Sequence, residues 1–289
     1  MKLYMFEHCS LCFRVRMTAA LKKLHLQEVI VQDDDTRTMT ELVGKRVIPI
    51  LVMDCGKPML ESMDMVKYID GKGDPILVGA ERTEITSLTD QIATKTAPLT
   101  WPRYPLLGLP EFSTVAALDH YTLRKRKALG DFVEFRAETR HRIDELMPDL
   151  KKLDGMIEGP DAINGKLSLD DIRVLPLLRS VAVVKGLQFP NKVRGYFESM
   201  MDRIEPPLGA PAADGRESRQ GRLHRPHAQS ESKTSSAVWR LLGPRATPSR
   251  VRRHDEQERC RAPTWGPHHR SRGDIAPVQS RNREIQGER

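Results

Sequence analysis

Two hydrophobic rhythms run along this chain, and they change near residue 80. Leu3 to Phe6 is a short apolar run of strand character. From Cys12 to Leu24, the residues Phe13, Met17, Ala20, Leu21 and Leu24 fall on one face of a helix. Glu28 to Val31 reads as a second strand. Thr38 to Val43 reads as a short helix closed by Gly44, a residue suited to the left-handed backbone of a helix end. Ile48 to Val52 is a third strand, Asp54 to Lys57 a turn, and Pro58 to Leu60 a short strand pairing back on it. Ser62 is placed to cap a helix running to about Asp70.

Beyond a break at Gly71 to Pro75, the period of two does not return after Glu81. Helical patterns follow over Glu84 to Ala97 (ended near Pro98), Thr114 to Leu129, Asp131 to Met147, Leu150 to Ile157, Asp170 to Gly186 and Pro190 to Ile204. Pro148 is expected to kink the chain between the third and fourth of these, and Pro176 falls inside another. The order β-α-β-α-β-β-α over residues 1–71 fits an α/β layer of thioredoxin type. Residues 72–81 read as a linker and residues 82–204 as an all-α domain. One helix start is well specified. Ser168 and Asp171 stand at the N-cap and N3 positions of a capping box, with Leu167 and Ile172 placed as a hydrophobic staple.

The chemistry concentrates at Cys9-Ser10-Leu11-Cys12, between the first strand and the first helix. The free N–H groups and partial positive charge of a helix start stabilise a thiolate. Cys9 is therefore expected to ionise at roughly pH 3.5–7.5, against about 8.5 for a free thiol. A pair at this spacing and place reads as a redox motif. Half a zinc site and inert structural thiols are the competing readings. The zinc reading needs two further ligands, yet Cys55 and Cys260 are isolated and no His pair has ligand spacing, so no metal site is assigned. His8 reads as a local polar contact, and Arg14 and Arg16 as solvated cations, with added positive potential at the cysteine pair as the alternative.

Charge sets the end of the chain apart. Residues 205–289 hold sixteen Arg and one Lys against ten acids, which is +7 of the chain's +8, and residues 1–204 hold 30 basic against 29 acidic residues. Pro, Gly, Ser and His recur there without period, and large apolar residues are sparse. Such a segment is expected to be disordered. Its Arg-rich, Lys-poor composition and abrupt onset resemble out-of-frame translation of a GC-rich gene. A solvated tail and a basic nucleic-acid arm are the alternatives. No apolar run reaches membrane-spanning length, and the charged N-terminus does not read as a signal peptide. Four cysteines in so long a chain point to a reducing, cytoplasmic compartment.

In a thioredoxin-type fold, two further segments converge on the cysteines. In Val47-Ile48-Pro49, a cis proline facing the pair would free the Ile48 backbone for a bound peptide; an ordinary edge-strand proline is the plain reading. In Glu61-Ser62, a helix start binds a carboxylate and Glu61 an ammonium, the two ends of a γ-glutamyl group. A simple cap with a solvated Glu61 is the plain reading there.

Together these segments resemble the bacterial glutathione-transferase-like glutaredoxins of the glutaredoxin 2 family. The likeness extends over Lys2-Leu3-Tyr4, the cysteine pair, Val47 to Leu51, Glu61 to Asp64, Glu111 to Thr114, Asn164-Gly165 and Asp170 to Ile172. It covers residues 1–204. It implies a thioredoxin-like domain docked on an all-helical, glutathione-transferase-like domain, with glutathione as cofactor. Cys9 resembles the nucleophile, Cys12 the resolving thiol, Ile48 and Pro49 the backbone contact, and Glu61 with Ser62 the γ-glutamyl site. The implied partners are glutathione and glutathionylated or disulfide-containing proteins; a monomer that engages neither membrane nor nucleic acid is expected. Two departures stand out: the family's usual Pro-Tyr between the cysteines is Ser10-Leu11 here, and the 205–289 tail has no counterpart. The rival functions are a glutathione transferase, with Tyr4 or Ser10 activating the tripeptide's own thiol, and a non-enzymatic binding or redox-sensing protein.

Overall fold

One sheet of four strands lies within residues 2–59: β1 (Lys2–Met5), β2 (Gln27–Ile30), β3 (Ile50–Val52) and β4 (Pro58–Met59). The spatial order is β2-β1-β3-β4, with β1 parallel to β2 and antiparallel to β3, and β3 antiparallel to β4. Tyr4 stands opposite Val29 on one side and Ile50 on the other. The structure is a computed structural model and describes residues 1–204; the expectation for the 205–289 tail lies outside the described residues.

Alternation along β1 sends side chains to opposite faces. Leu3 and Met5 meet Leu51 under helices α1 (Ser10–Leu21) and α3 (Ser62–Asp70), in a cluster with Cys12, Val15, Met65 and Ile69. Phe6 and Ile50 pack with Val31 and Met39 beneath α2 (Thr36–Val43) on the other face. Asp35 caps α2 by accepting from the Thr38 N–H at 2.9 Å, and Gly44 ends it at φ +75°, as its sequence position predicts.

Helix α1 stops three residues before its expected end. Lys23 takes a left-handed backbone (φ 54°), and the Leu24 N–H donates back to the Ala19 carbonyl at 2.9 Å. This closure keeps Leu24 against the core without continuing the helix. Ser62 likewise begins α3 rather than capping it. Glu61 holds the cap position with extended backbone and no side-chain bond, and its carbonyl accepts from the Asp64 and Met65 N–H groups.

Six further helices follow: α4 (Thr83–Thr100), α5 (Val115–Leu129), α6 (Phe132–Ala137), α7 (Thr139–Met156), α8 (Leu169–Val181) and α9 (Asn191–Ile204). Two proline expectations need correction. Helix α4 runs through Pro98 to Thr100, because Leu99 and Thr100 beyond it are buried and the Thr96 and Thr100 hydroxyls bond back to the turns before them. The break expected at Pro148 falls instead at Glu138, and α7 is continuous through the proline, with Leu146, Leu150 and Leu153 all buried. Core burial outweighs the roughly 3 kcal/mol a proline costs inside a helix. Among the described residues, no helix is long and apolar enough to cross a membrane.

The largest core is shared. Phe13 and Met17 of α1 and Val66 of α3 lie in one cluster with Leu88, Ile92, Leu150, Leu177 and Leu178 of the helical part. Charge crosses the same seam. Arg16, expected in solvent, is buried and donates to Glu7 at 3.1 Å and Glu28 at 2.9 Å. Arg179 of α8, also buried, reaches Glu7 at 2.6 Å and covers the Phe13 ring at 4.3 Å. Burial pushes the Glu7 carboxyl up, but Arg16 and Arg179 outweigh it and hold the group below its usual range.

The capping box at Ser168 forms, and it extends beyond its helix. Asp171 accepts from the Ser168 N–H at 2.8 Å, from the Ile163 N–H at 2.9 Å and from the Tyr196 hydroxyl of α9 at 3.0 Å. Its neighbour Asp170 accepts from the Arg82 N–H at 2.8 Å. Asp171→Ala leaves three buried donors without an acceptor and is expected to destabilise the protein by about 3 kcal/mol or more. A thermal melt beside a Cys9 alkylation assay checks this: the melting temperature falls while the thiol of the folded protein keeps its rate. An unchanged melt overturns the assignment.

Candidate active site

A thiol at the lip of a cleft is the centre of the site. Cys9 is the N-cap of α1, with extended backbone (φ −77°, ψ 116°) and no oxygen to offer the first turn. Its carbonyl still accepts from the Phe13 N–H at 3.0 Å, so the helix opens directly beneath the sulfur. Cys12, one turn on, is fully buried. Both are free thiols.

Electrostatics separates the two sulfurs. The Cys12 thiol donates to Cys9 and is the largest influence holding Cys9 down at about 6; burial opposes it, and the charge of His8 and the Leu11 and Cys12 N–H groups assist. Burial pushes Cys12 well above its ordinary value, and its bond to Cys9 adds to the rise. At neutral pH, Cys9 is therefore a thiolate and Cys12 a thiol. The result lies inside the range that the helix-start argument gave, although Cys12 contributes more than the helix does.

His8 is more than a local contact. Its Nδ1–H donates to Glu111 Oε1 at 2.5 Å, and its backbone N–H donates to the same oxygen at 3.0 Å. Glu111 is fully buried 103 positions away in the chain, in the 3-10 turn Pro110–Phe112. An ionised carboxylate can only accept, which fixes the proton on Nδ1. Phe6 stacks on the imidazole at 5.7 Å, with Tyr104, Phe112 and Tyr121 around it. The segment quoted for its family likeness, Glu111 to Thr114, thus supplies the histidine's anchor. Glu111 had no assigned role, because nothing local in the sequence pairs it with His8.

Cys9 opens onto a cleft of about 410 Å³ whose wall includes Ile48, Arg46, Trp101, Arg124 and Lys125. Asp33, fully buried behind that wall, accepts from Arg124 at 2.9 Å and from His120 at 2.7 Å, and lies 3.3 Å from Arg46. Lys125 rests on the Trp101 ring at 3.5 Å. Burial, aided by the charge of Arg124, brings its pKa down to about 8.

The sequence-chosen residues divide into two groups. Cys9, Cys12 and Ile48 come together: Cys9 and Ile48 share the cleft wall, and both pack on the cluster that contains Cys12. Pro49 is buried behind a cis Ile48–Pro49 bond, and the Ile48 N–H and C=O have no protein partner among the described residues. Glu61 and Ser62 start α3, which packs beside α1, but they do not line the cleft. Glu61 is exposed, whereas Ser62 is buried.

Comparison with known proteins matches both parts of the chain. Residues 3–75 match the family model for the glutathione S-transferase N-terminal domain, and residues 84–208 that for the glutaredoxin 2 C-terminal domain. Glutaredoxin 2 of Escherichia coli (strain K12) is 36% identical over 206 residues, 71% of this chain and 96% of that protein. The crystal structure of glutaredoxin 2 from Salmonella typhimurium in complex with glutathione superposes with a TM-score of 0.69 at 35% identity, covering 72% of this chain and 95% of that one.

The charge arrangement around Cys9 fixes how its reactivity follows pH. Alkylation by neutral iodoacetamide is expected to rise through a midpoint near pH 6, the value to which Cys9 is held. Cys12→Ala removes the principal donor and moves the midpoint up, whereas Cys12→Ser, which keeps an O–H, moves it less. His8→Phe removes a favourable charge and also moves it up. A parent midpoint near that of a free thiol, about 8.5, overturns the assignment.

Proposed function

Since this chain belongs to the glutaredoxin 2 family, we propose that it is a glutathione-dependent thiol–disulfide oxidoreductase in which Cys9 is the nucleophile. The observation that carries the reading is the pairing of one ionised sulfur on the cleft wall with one buried, protonated sulfur a single helical turn away. Residues 1–71 supply the thiols, residues 72–81 link, and residues 82–204 close the cleft over them.

The chemistry runs by exchange. The Cys9 thiolate attacks the glutathione sulfur of a mixed disulfide. A bond forms between Cys9 and that sulfur, the original S–S bond breaks, and the substrate leaves as a thiolate that takes a proton from water. A second glutathione, as thiolate, then attacks the glutathione sulfur bound to Cys9, giving glutathione disulfide and restoring the Cys9 thiolate. For a protein disulfide, Cys12 serves instead. It passes its proton away, attacks the Cys9 sulfur of the mixed disulfide, and releases the protein thiol, leaving a Cys9–Cys12 disulfide for two glutathiones to reduce. Once Cys9 is tied up in the mixed disulfide, its charge and its hydrogen bond no longer hold the Cys12 proton, and of the influences that raise Cys12 only burial remains.

Glutathione has its proposed place along the open Ile48 backbone and at the start of α3. The Ile48 N–H and C=O suit an extended peptide, and the first N–H groups of α3 have no helical partner to satisfy. Exposed Glu61 suits the ammonium end of a γ-glutamyl group. Glutathionylated and disulfide-containing proteins are the proposed partners. A monomeric protein in a reducing, cytoplasmic compartment belongs to the same proposal, supported by the sparse cysteines and the near balance of charge over residues 1–204.

Turnover of a glutathione mixed disulfide, coupled to glutathione reduction, tests the reading. Cys9→Ser is expected to abolish it. Cys12→Ser is expected to keep reduction of the glutathione mixed disulfide and to lose most reduction of protein disulfides. Retained turnover in Cys9→Ser, or conjugation of a chlorinated aromatic at a rate that matches or exceeds disulfide turnover, overturns it.

A further inference from the structure

Cations gather on the wall of the cleft that holds Cys9: Arg46, Arg124 and Lys125 all line it. Asp33 is the carboxylate that the two arginines share, and His120 is its third partner. Lys125 has no carboxylate within ion-pair distance among the described residues; its neighbour is the face of Trp101. The surplus is local, since residues 1–204 are nearly balanced in charge.

A plain account exists for basic residues here, because the last turn of α5 favours cations at its negative end. It covers Arg126 and Lys127, which point to solvent, with Arg126 on Asp131 at 2.7 Å. It does not explain why Arg124 and Lys125 turn inward onto the cleft, where burying an unpaired ammonium costs free energy.

Disulfide exchange supplies a use. The attacking, central and departing sulfurs stand close to a line, so the departing half extends away from Cys9 into the cleft whose wall carries these cations. On that basis, and resting on the function proposed above, we propose that Arg124 and Lys125, with Arg46 beside them, form a carboxylate-binding subsite for the departing half of the mixed disulfide. The preferred substrate is thus a disulfide whose leaving thiol carries negative charge close to its sulfur. No bond is made or broken at the subsite. It raises the share of encounters in which the disulfide lies in line with Cys9.

One experiment reads the charge of the cleft without using the exchange reaction. Cys9 in the full chain is alkylated with iodoacetate and, separately, with iodoacetamide, and its modification is followed by peptide mass. Both reagents need the thiolate, so the ratio of their rates, divided by the same ratio for free cysteine, cancels the ionisation of Cys9. The expected ratio is about two- to fivefold above that of cysteine, the range of a single partly exposed charge interaction. It is expected to fall in Lys125→Met and at high salt, and to hold in Lys127→Met. A parent ratio equal to that of cysteine, or one that Lys125→Met leaves unchanged, overturns the proposal. Turnover then identifies the source of the carboxylate. Glutathionylated peptides with Asp, Ser or Lys beside the cysteine are compared with the mixed disulfides of glutathione with mercaptosuccinate and with cysteamine. A preference for the Asp peptide assigns the subsite to protein substrates, and one confined to mercaptosuccinate assigns it to small acidic thiols. Turnover without charge preference removes the subsite and leaves the enzyme. A raised iodoacetate ratio without any turnover removes the enzyme and leaves the anion subsite.

Discussion

The segment Glu7-His8-Cys9 is gripped from the far side of the molecule, and the placement of the reactive sulfur depends on that grip. Glu7 lies between Arg16 of its own layer and Arg179 of α8, and the next residue, His8, hangs from Glu111. Removing the Glu7 carboxylate would take from Arg16 and Arg179 the anion they share across the two layers, while Arg16 would keep Glu28. The loop that aims Cys9 is thus set by side chains 172 and 103 positions away, not by the turn alone.

What the sequence revealed was mostly local. The four strands, the left-handed glycine after α2, the thiol pair at a helix start and the capping box at Ser168 are written in residues a few positions apart, and local spacing suffices to read them. The proline readings failed where local cost met tertiary burial: Pro98 and Pro148 lie in helices whose following residues are core. Ser62 was misplaced by one position, because the cap position goes to whichever residue leaves the extended backbone, and here that is Glu61. His8 was read as a local polar contact and Arg16 as a solvated cation. Their partners, Glu111 and Glu7, come from other elements, and no periodicity encodes such pairings.

The Ser10-Leu11 pair between the cysteines changes the surface more than the frame. Ser10 starts α1 without a proline, and α1 still opens at that residue. Leu11 is 40% exposed beside the cleft and presents an aliphatic side chain in the position of the family's usual tyrosine. The ring that could have packed on a bound tripeptide is absent, and the aromatic side chains lining the cleft are Phe6, His8, Trp101 and Tyr104. Aromatic contact in this cleft therefore comes from residues outside the pair between the two thiols.

The shared core also bears on modularity. Sequence rhythm divides the chain cleanly near residue 80, as though two units had been joined end to end. Phe13 and Met17, however, sit in the same interior as Leu177 and Leu178, and the helix that carries them begins at the reactive sulfur. A gene fragment cut at the rhythm change would expose that helix face to water. The boundary seen in the amino-acid pattern is thus not a line along which the molecule can be cut, and recombination that swapped one half for a distant counterpart would have to bring matching residues for the other.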